Sequence, residues 1–538
     1  MRYHTIVVGG GMAGLTAAAY LAKEEKSVLL LEKQKIVGGL VTSFVRDGTF
    51  YDGGIRSTEN SGILIPMIRQ LGLELELLDS PVSIGMEGDV FRVTGEADGV
   101  EQYQAFLKKH FPEYTDDIER IISQIRKIMK YMDILYGIEN PAFMDIREDR
   151  RYLFKTLLPW LFRYLLTYKK VLRLGEPVRS FLERLSSHTP LIDNIAQHFF
   201  KETPTFFALS YFSLYQDYYY PAGGTKALPD ALERFILEHH GKIQTATEVS
   251  EIDVDAKQLL DSKENGYLYD HLIWAADLKS LYRVVRLDSI RDPKLITEIE
   301  SRISELNPLR GGDSIFTVYL SVDLPLEYFE AISTGHFFYT PSKKGLSQLN
   351  TRWMDRFLKM EMDSTQVSII KEELKNYLDD FCDLNTYEIS IPALRDPSLM
   401  MNGRVGMVIS VLFDYDVAAK LDALNWLPEM KAHLEERMVD ILAKSIYPDI
   451  SSHILDQFSS TPLTLARKTG STDGAITGWA FTNPTIPVVS QLQKVYSSVL
   501  TEIPHVFQAG QWTYSPSGLP IAILTGKLAV DKILGKKW

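Results

Sequence analysis

Residues 5–14 constrain this chain more than any others. Thr5, Ile6, Val7 and Val8 form a short β-branched run of the kind buried in a parallel sheet. Gly9, Gly10, Gly11, Met12, Ala13 and Gly14 follow and fit G-x-G-x-x-G. Residues 15–22, rich in Ala and Leu, read as a helix, and 27–31 as a second apolar strand ending at Glu32. Each part has a physical task. Gly9 makes the turn, Gly11 lets backbone approach a pyrophosphate, and Gly14 lets helix and strand pack closely. The helix N-terminus presents free N–H groups and partial positive charge to phosphates. Glu32, 23 residues after Gly9, is placed to accept both hydrogens of an adenosine ribose diol. A carboxylate there favours a free 2′-hydroxyl, which disfavours NADP and leaves FAD or NAD.

Composition sets the frame around this unit. A chain of 538 residues with 45% hydrophobic residues fits two or three domains and can enclose a sizeable cavity. Fifty-eight basic against seventy acidic residues give a net charge of −12, which excludes a general nucleic-acid-binding role. Cys382, the one cysteine, excludes an internal disulfide and any four-cysteine zinc site. It reads as a buried structural thiol in a reducing compartment, so a cytoplasmic location is expected, peripheral on membrane. None of the 11 histidines has metal-ligand spacing, so no metal site is expected. No apolar run reaches ~18 residues without a charge, as a spanning helix would require. The apolar N-terminus, interrupted by three glycines, reads as folded structure and not as a signal peptide.

Gly38 and Gly39 come six residues after Glu32, then Thr42, then Asp47-Gly48-Thr49-Phe50-Tyr51-Asp52-Gly53-Gly54. With these segments the chain resembles the glutathione-reductase-type flavoproteins, in their amine-oxidase and phytoene-desaturase branch. Many members carry Arg after the paired glycines; here Leu40 stands there, so no arginine contact carries over. Tyr220-Pro221-Ala222-Gly223-Gly224 resembles the Tyr-Pro-x-Gly-Gly segment of phytoene desaturases and carotenoid isomerases. Thr461-Pro462 with Arg467, Gly474 and Gly478 resembles a segment of the same enzymes on the substrate side. Near the end, Gly510-Gln511 stands where the family has Gly-Asp, whose Asp holds a ribityl hydroxyl; Gln511 can hydrogen-bond but carries no charge. Gly518 and Leu519 open a final helix whose N–H groups would face the flavin and stabilise negative charge on it.

The resemblance implies an α/β fold: a discontinuous Rossmann-type FAD-binding domain (1–95, 213–285 and 489–538) and a mixed α+β substrate domain (96–212 and 286–488) with a helical membrane-facing part. It implies FAD held by Gly9, Gly11, Met12, Ala13, Gly14, Glu32, Lys33, Gly38, Gly39, Val249, Gly510, Gln511, Gly518 and Leu519. Tyr215, Tyr219 and Tyr514 are candidates for an apolar substrate wall, within a cluster that also holds Tyr211, Tyr218 and Tyr220. The implied activity is oxidoreduction at carbon–carbon bonds of a long apolar alkene or polyene, of carotenoid, retinoid or other lipid type. Desaturation, saturation and cis–trans isomerisation remain open. An amine-oxidase-like enzyme is one alternative, and a prenyl-lipid carrier of the GDP-dissociation-inhibitor type another. No local motif identifies a catalytic acid or base, and none assigns an electron acceptor.

Residues 147–174 differ from the rest. Eight basic residues (Arg147, Arg150, Arg151, Lys155, Arg163, Lys169, Lys170 and Arg173) face two acids, a local charge of +6. Phe154, Leu157, Leu158, Leu161, Leu165, Tyr168 and Leu172 fall at helical spacing, and Pro159 predicts a kink or break. Such a helix either lies on an anionic bilayer surface or packs its apolar face on the core, and the same segment is also a candidate to line an entrance to the flavin.

Overall fold

The computed structural model describes residues 2–93, 99–144, 150–214, 217–362 and 366–536. The strand–turn–helix–strand unit read from the first residues forms as expected: strand Arg2–Val8, helix Met12–Lys23 and strand Val28–Leu31. Arg2–Val8 pairs in parallel with Val28–Leu31 on one side and with Gly266–Trp274 on the other. Lys242–Gln244 extends the sheet beyond Val28–Leu31. At the opposite edge, Gly266–Trp274 pairs in parallel with Val506–Gln508 and antiparallel with Gln258–Asp261, which leads to Val249–Asp253. The sheet is thus assembled from three distant stretches of chain.

Its central strands are apolar on both faces because both faces are covered. Val7, Leu30 and Ile273 point into a core shared with helices Met12–Lys23, Ala227–Glu238 and Leu519–Ile533. Ile6, Val8, Leu29, Leu31, Leu272 and Trp274 point the other way, against Leu278, Leu281, Leu295 and Ile299. The alternation is the period-2 rule of a strand. Helix Leu519–Ile533 lies so close to Met12–Lys23 that a Cβ on Gly526 would come within 2.4 Å of the Ala13 carbonyl oxygen.

A second sheet runs in the order Ile454–Ser460, Ser314–Val322, Val405–Phe413, Tyr387–Ser390, His336–Thr340, Val82–Met86, Asp89–Arg92. All its pairings are antiparallel except that of His336–Thr340 with Val82–Met86. One face is apolar: Val318, Leu320, Phe337, Tyr339, Tyr387, Ile389, Met407 and Ile409 pack with Leu374, Leu378, Met438 and Leu442 of helices Val367–Leu384 and Leu427–Ser445. The other face carries the alternate residues, among them Thr317, Tyr319, His336, Phe338, Glu388 and Ser410. That face looks toward the first sheet.

Pairing divides the chain differently from sequence order in two places. Within residues 1–95, read as part of the FAD-binding domain, Val82–Met86 and Asp89–Arg92 pair in the second sheet. Residues 286–488 were expected on the substrate side, yet Leu295, Ile299, Leu306 and Trp479 pack on the first sheet. Hydrophobic burial, which is indifferent to chain order, decides both.

A helical layer including Gly99–His110, Thr115–Tyr136 and Thr205–Leu214 covers Val82, Ile84 and Met86. The basic aromatic segment lies outside it. Residues 145–149, with Arg147, Glu148 and Asp149, are outside the described residues. Arg150–Tyr152 begins a helix that widens to a π turn over Leu153–Leu157 and continues as Leu158–Val171. The irregularity sits immediately before Pro159, which cannot donate to the helical ladder. Tyr164, Thr167 and Val171 are buried, and Trp160 donates to the Ile134 carbonyl of Thr115–Tyr136. Phe154, Leu158, Leu161, Phe162, Leu165, Leu166 and Leu172 are exposed, Phe154 at 63% and Phe162 at 68%. Among the described residues, no helix is long and apolar enough to cross a membrane.

Candidate active site

The glycine turn has little freedom. Gly9 has φ +105, and a Cβ there would meet the Ala275 carbonyl oxygen at 2.8 Å. A Cβ on Gly14 would sit 1.9 Å from the Gly9 carbonyl oxygen, so only glycine lets the helix approach the strand this closely. Gly11 is different: a Cβ there would meet nothing within 4 Å, because the residue faces open space. It caps helix Met12–Lys23 without a side-chain hydrogen bond, which leaves the first-turn N–H groups unclaimed by a side chain. The Gly38 N–H donates to the Gly10 carbonyl at 2.8 Å and brings Gly39 beside Gly11. Glu32 is held in place by the Gly10 and Gln34 N–H groups, at 2.6 and 2.7 Å.

This turn forms one end of a cavity of about 1400 Å³. That exceeds the ~300–1,000 Å³ of a cleft for one small ligand. Gly9, Gly11, Met12, Ala13, Glu32, Lys33, Gly38, Gly39, Val249, Gly510, Gln511, Gly518 and Leu519 all lie in its wall. Gly14 does not; it is spent on the contact with Gly9. Gly518 precedes helix Leu519–Ile533, so two helix N-termini open on the same space.

The aromatic candidates fare differently. Tyr215 lies outside the described residues. Tyr219 and Tyr514 are not among the lining residues: Tyr219 pairs with Thr58 and Asp79 in a small sheet, and the buried Tyr514 donates to the Ser490 carbonyl at 3.3 Å. Tyr211 and Tyr218 of the same cluster do reach the wall, with Phe199, Phe207 and Phe338. Tyr319 and Phe458, stacked at 4.7 Å, continue this apolar surface on the second sheet. No residue of 150–174 lines the cavity.

The wall also holds polar groups that no motif announced: Arg56 and Ser57 in the loop before the short strand Thr58–Glu59, Glu59 in that strand, and His336, Glu388 and Ser410 on the second sheet. Arg56 donates to Ser410 Oγ at 2.8 Å and to the Asp52 carbonyl at 3.1 Å. His336 bridges Glu388 Oε1 through Nε2 at 2.9 Å and Ser57 Oγ through Nδ1 at 3.1 Å, and Tyr218 stacks on its ring. Burial lowers the pKa of His336 and favours the neutral ring. Burial opposes ionisation of Glu388, but the hydrogen bond and charge of His336, followed by the charges of Arg56 and Arg395, outweigh it and hold the carboxyl below its usual range. The pair is a carboxylate hydrogen-bonded to a buried imidazole whose other ring nitrogen meets the Ser57 hydroxyl. Glu59 has only a backbone hydrogen bond against its burial. Burial pushes its carboxyl up to about 7. His198, lowered to about 4 by burial, is neutral. Arg56 and Glu59 directly follow the Gly53-Gly54 segment and were within reach of sequence reasoning; His336, Glu388 and Ser410 come from three separate strands and carried no local signal.

Comparison with known proteins decides the family. The profile described as flavin containing amine oxidoreductase matches residues 12–360, more than half of the chain. The chain belongs to this flavin-containing amine oxidoreductase family. Among curated relatives, it is 28% identical over 361 residues to the inactive all-trans-retinol 13,14-reductase of Danio rerio, covering 62% of this chain and 56% of that protein. It is 28% identical over 266 residues to the carotenoid 3,4-desaturase of Haloarcula japonica, covering 46% and 50%. To the chloroplastic prolycopene isomerase of Arabidopsis thaliana it is 33% identical over 153 residues, covering 26% and 25%. The chain thus spans about half the length of the first two relatives and about a quarter of the third. Among solved structures, an oxidoreductase from Methanosarcina mazei superposes with TM-score 0.57 at 14% identity, with 100% of each chain covered. Putrescine oxidase bound to putrescine gives TM-score 0.58 at 13% identity, with 99% of each covered. These two likenesses concern the fold.

The cofactor of this flavin-containing family member is FAD, and the wall fits it. Gly11 leaves open space where any side chain would intrude, Glu32 keeps carboxylate lone pairs for hydroxyl donors, and two helix N-termini supply unclaimed N–H groups.

Proposed function

We propose that the protein oxidises, reduces or isomerises carbon–carbon double bonds of a long, largely apolar alkene or polyene. The observation that carries this reading is the continuity of one cavity from the glycine turn to a wall of Phe and Tyr side chains. When bound, FAD supplies two-electron hydride exchange. The chain's own residues hold and shelter it. The Gly11 turn and the first N–H groups of Met12–Lys23 take the pyrophosphate, Glu32 the adenosine ribose, and the Val249 backbone the adenine. Lys33, Gly38 and Gly39 complete that end. Gly510 and Gln511 take the ribityl chain, and the N–H groups that follow Gly518 stabilise negative charge placed before them. Tyr319, Phe458, Phe199, Phe207 and Phe338 exclude water and offer a hydrocarbon only apolar contact. The names of the relatives, which include a carotenoid desaturase and prolycopene isomerases, support a polyene.

The test begins with heat release of bound chromophore from the purified protein. Near-stoichiometric FAD is expected, followed by anaerobic absorbance changes with a carotenoid or retinoid panel. Protein that neither carries nor takes up FAD would sink the redox reading in favour of a lipid carrier. A second reading, amine oxidation, draws support from the two carboxyls Glu59 and Glu388 in the wall, and peroxide release with alkylamines would favour it.

We also propose that the Leu158–Val171 helix rests on an anionic membrane surface. Seven large apolar side chains exposed between Phe154 and Leu172, flanked by Lys155, Arg163, Lys169, Lys170 and Arg173, support this in a chain of net charge −12. Each well-placed cation contributes about 1 kcal/mol near anionic lipid. Flotation with phosphatidylserine vesicles is expected to drop sharply when Lys169, Lys170 and Arg173 are changed to Glu. Unchanged flotation removes this role.

A further inference from the structure

Adding hydrogen across a carbon–carbon double bond, or removing it, moves one hydride and one proton. The hydride is exchanged with FAD, so the proton has to be given or taken by a group in the cavity wall. Glu59 stands where such a group is needed. It lies opposite Tyr218 in the pairing of Thr58–Glu59 with Tyr218–Pro221, so both side chains leave their strands on the same face. Both line the cavity. Thr58–Glu59 also packs against helix Leu519–Ile533, whose first-turn residues Leu519 and Ala522 line the same space. The carboxyl is thus set between the helix start assigned above to the cofactor and the wall of Phe and Tyr side chains.

The other acid, the histidines and the arginine of this end are committed elsewhere. Glu388 is bound by His336 and held ionised. His336 has both ring nitrogens engaged, one by Glu388 and one by Ser57. His198, its pKa lowered to about 4 by burial, has no spare proton at neutral pH. Arg56 does not give up its proton. The Glu59 carboxyl accepts only from its own backbone N–H, and no neighbouring charge fixes its protonation. Raised to about 7 by burial, it can both give and take a proton near neutrality.

We propose, on the reading of this cavity as a site for carbon–carbon double bonds, that Glu59 is the proton donor and acceptor of the reaction. In reduction, its O–H bond breaks as a C–H bond forms at one alkene carbon, and the hydride goes to the other. Solvent then reprotonates the carboxylate. In oxidation, the carboxylate takes a proton from the carbon next to the one that loses hydride, and that C–H electron pair becomes the new π bond. In isomerisation, the carboxyl protonates one carbon, the resulting single bond rotates, and the carboxylate takes the proton back.

The test uses the FAD-loaded full chain with Glu59→Gln and Glu59→Asp. One readout needs no turnover. The infrared C=O band of a protonated carboxyl is expected to disappear from the native protein as pH passes about 7, and to be absent from Glu59→Gln. The other readout follows a carotenoid and retinoid panel. Glu59→Gln is expected to lower kcat by about a hundredfold to ten-thousandfold, while FAD content and the flavin spectral shift on polyene binding are kept. Glu59→Asp, which keeps the carboxyl on a shorter stem, restores part of the rate. The native rate follows one ionisation near pH 7, falling above it in reduction and rising through it in oxidation, and the residual rate of Glu59→Gln lacks that step. A kcat that survives Glu59→Gln, or a carboxyl band unchanged by it, overturns the proposal and leaves the double-bond reading standing. Should the Gln variant fail to fold, a native rate without an ionisation near pH 7 overturns it equally. If protein with full FAD neither binds nor converts any polyene, the proposal and the double-bond reading fall together, while the cofactor assignment stands.

Discussion

Two positions in the cavity wall and its turn show how a single residue is constrained. Gly14 has no room for one more carbon, since a Cβ would lie 1.9 Å from the backbone oxygen of Gly9. Backbone cannot swing aside as a side-chain tip can. Gly14→Ala is therefore expected to reduce stability by about 1–3 kcal/mol and to release FAD, both measurable by urea unfolding and flavin content. Glu59 is constrained by charge. Its carboxyl is raised from 4.5 to about 7 by burial, so the folded state holds a proton that the unfolded chain has lost. As pH rises between those values, folding must keep that proton or bury a charge, and stability falls. Glu59→Gln removes the dependence. Relative to the Gln variant, the native protein is expected to lose on the order of 2 kcal/mol between about pH 4.5 and pH 8, allowing for screening by cavity water. Parallel pH profiles of the two proteins would remove Glu59 as the cause.

At the scale of elements, the Leu158–Val171 helix is instructive because its apolar residues lie on nearly every side. Periodicity put Phe154, Leu158, Leu161 and Leu165 on one face, and they do share a side, but it is the exposed one. Tyr164, Thr167 and Val171 pack inward, with Trp160 donating to the neighbouring helix Thr115–Tyr136. Phe162→Ser is accordingly expected to change stability by less than about 0.5 kcal/mol, whereas Val171→Ala costs about 1–2 kcal/mol. Thermal or denaturant midpoints of the two variants check the assignment of faces. A large loss from Phe162→Ser would mean that this side packs against something. The expected break at Pro159 is present as the π turn just before it, since a missing N–H is a local property that neighbours cannot hide.

At the scale of the whole molecule, the cavity lies between two sheets that distant segments build together, so a ligand there ties both to the folded state. FAD at about a hundredfold its dissociation constant is expected to add about 2.7 kcal/mol to unfolding, and Glu32→Ala to lose most of that gain, as melting curves with and without FAD will show. How much of this was legible beforehand follows from range. The turn at Gly9, Gly11 and Gly14, the acid at Glu32, and the glycines at 38 and 39 work within forty residues of one another, and spacing along the chain carries their meaning. Burial on both faces likewise shows in the unbroken run Val28–Leu31. Other features depended on tertiary pairing. Tyr218 reaches the cavity and Tyr219 does not, because one residue along a strand reverses the side chain. His336, Glu388 and Ser410 meet only because three strands align in register, bringing a carboxylate and, through Ser410, Arg56 to one patch. By itself the sequence determined the cofactor turn and the family of the fold, since both rest on short-range geometry and local burial. Tertiary structure alone decided which polar groups share the cavity and which side of a helix faces water, since pairing register and packing are set by contacts between residues hundreds of positions apart.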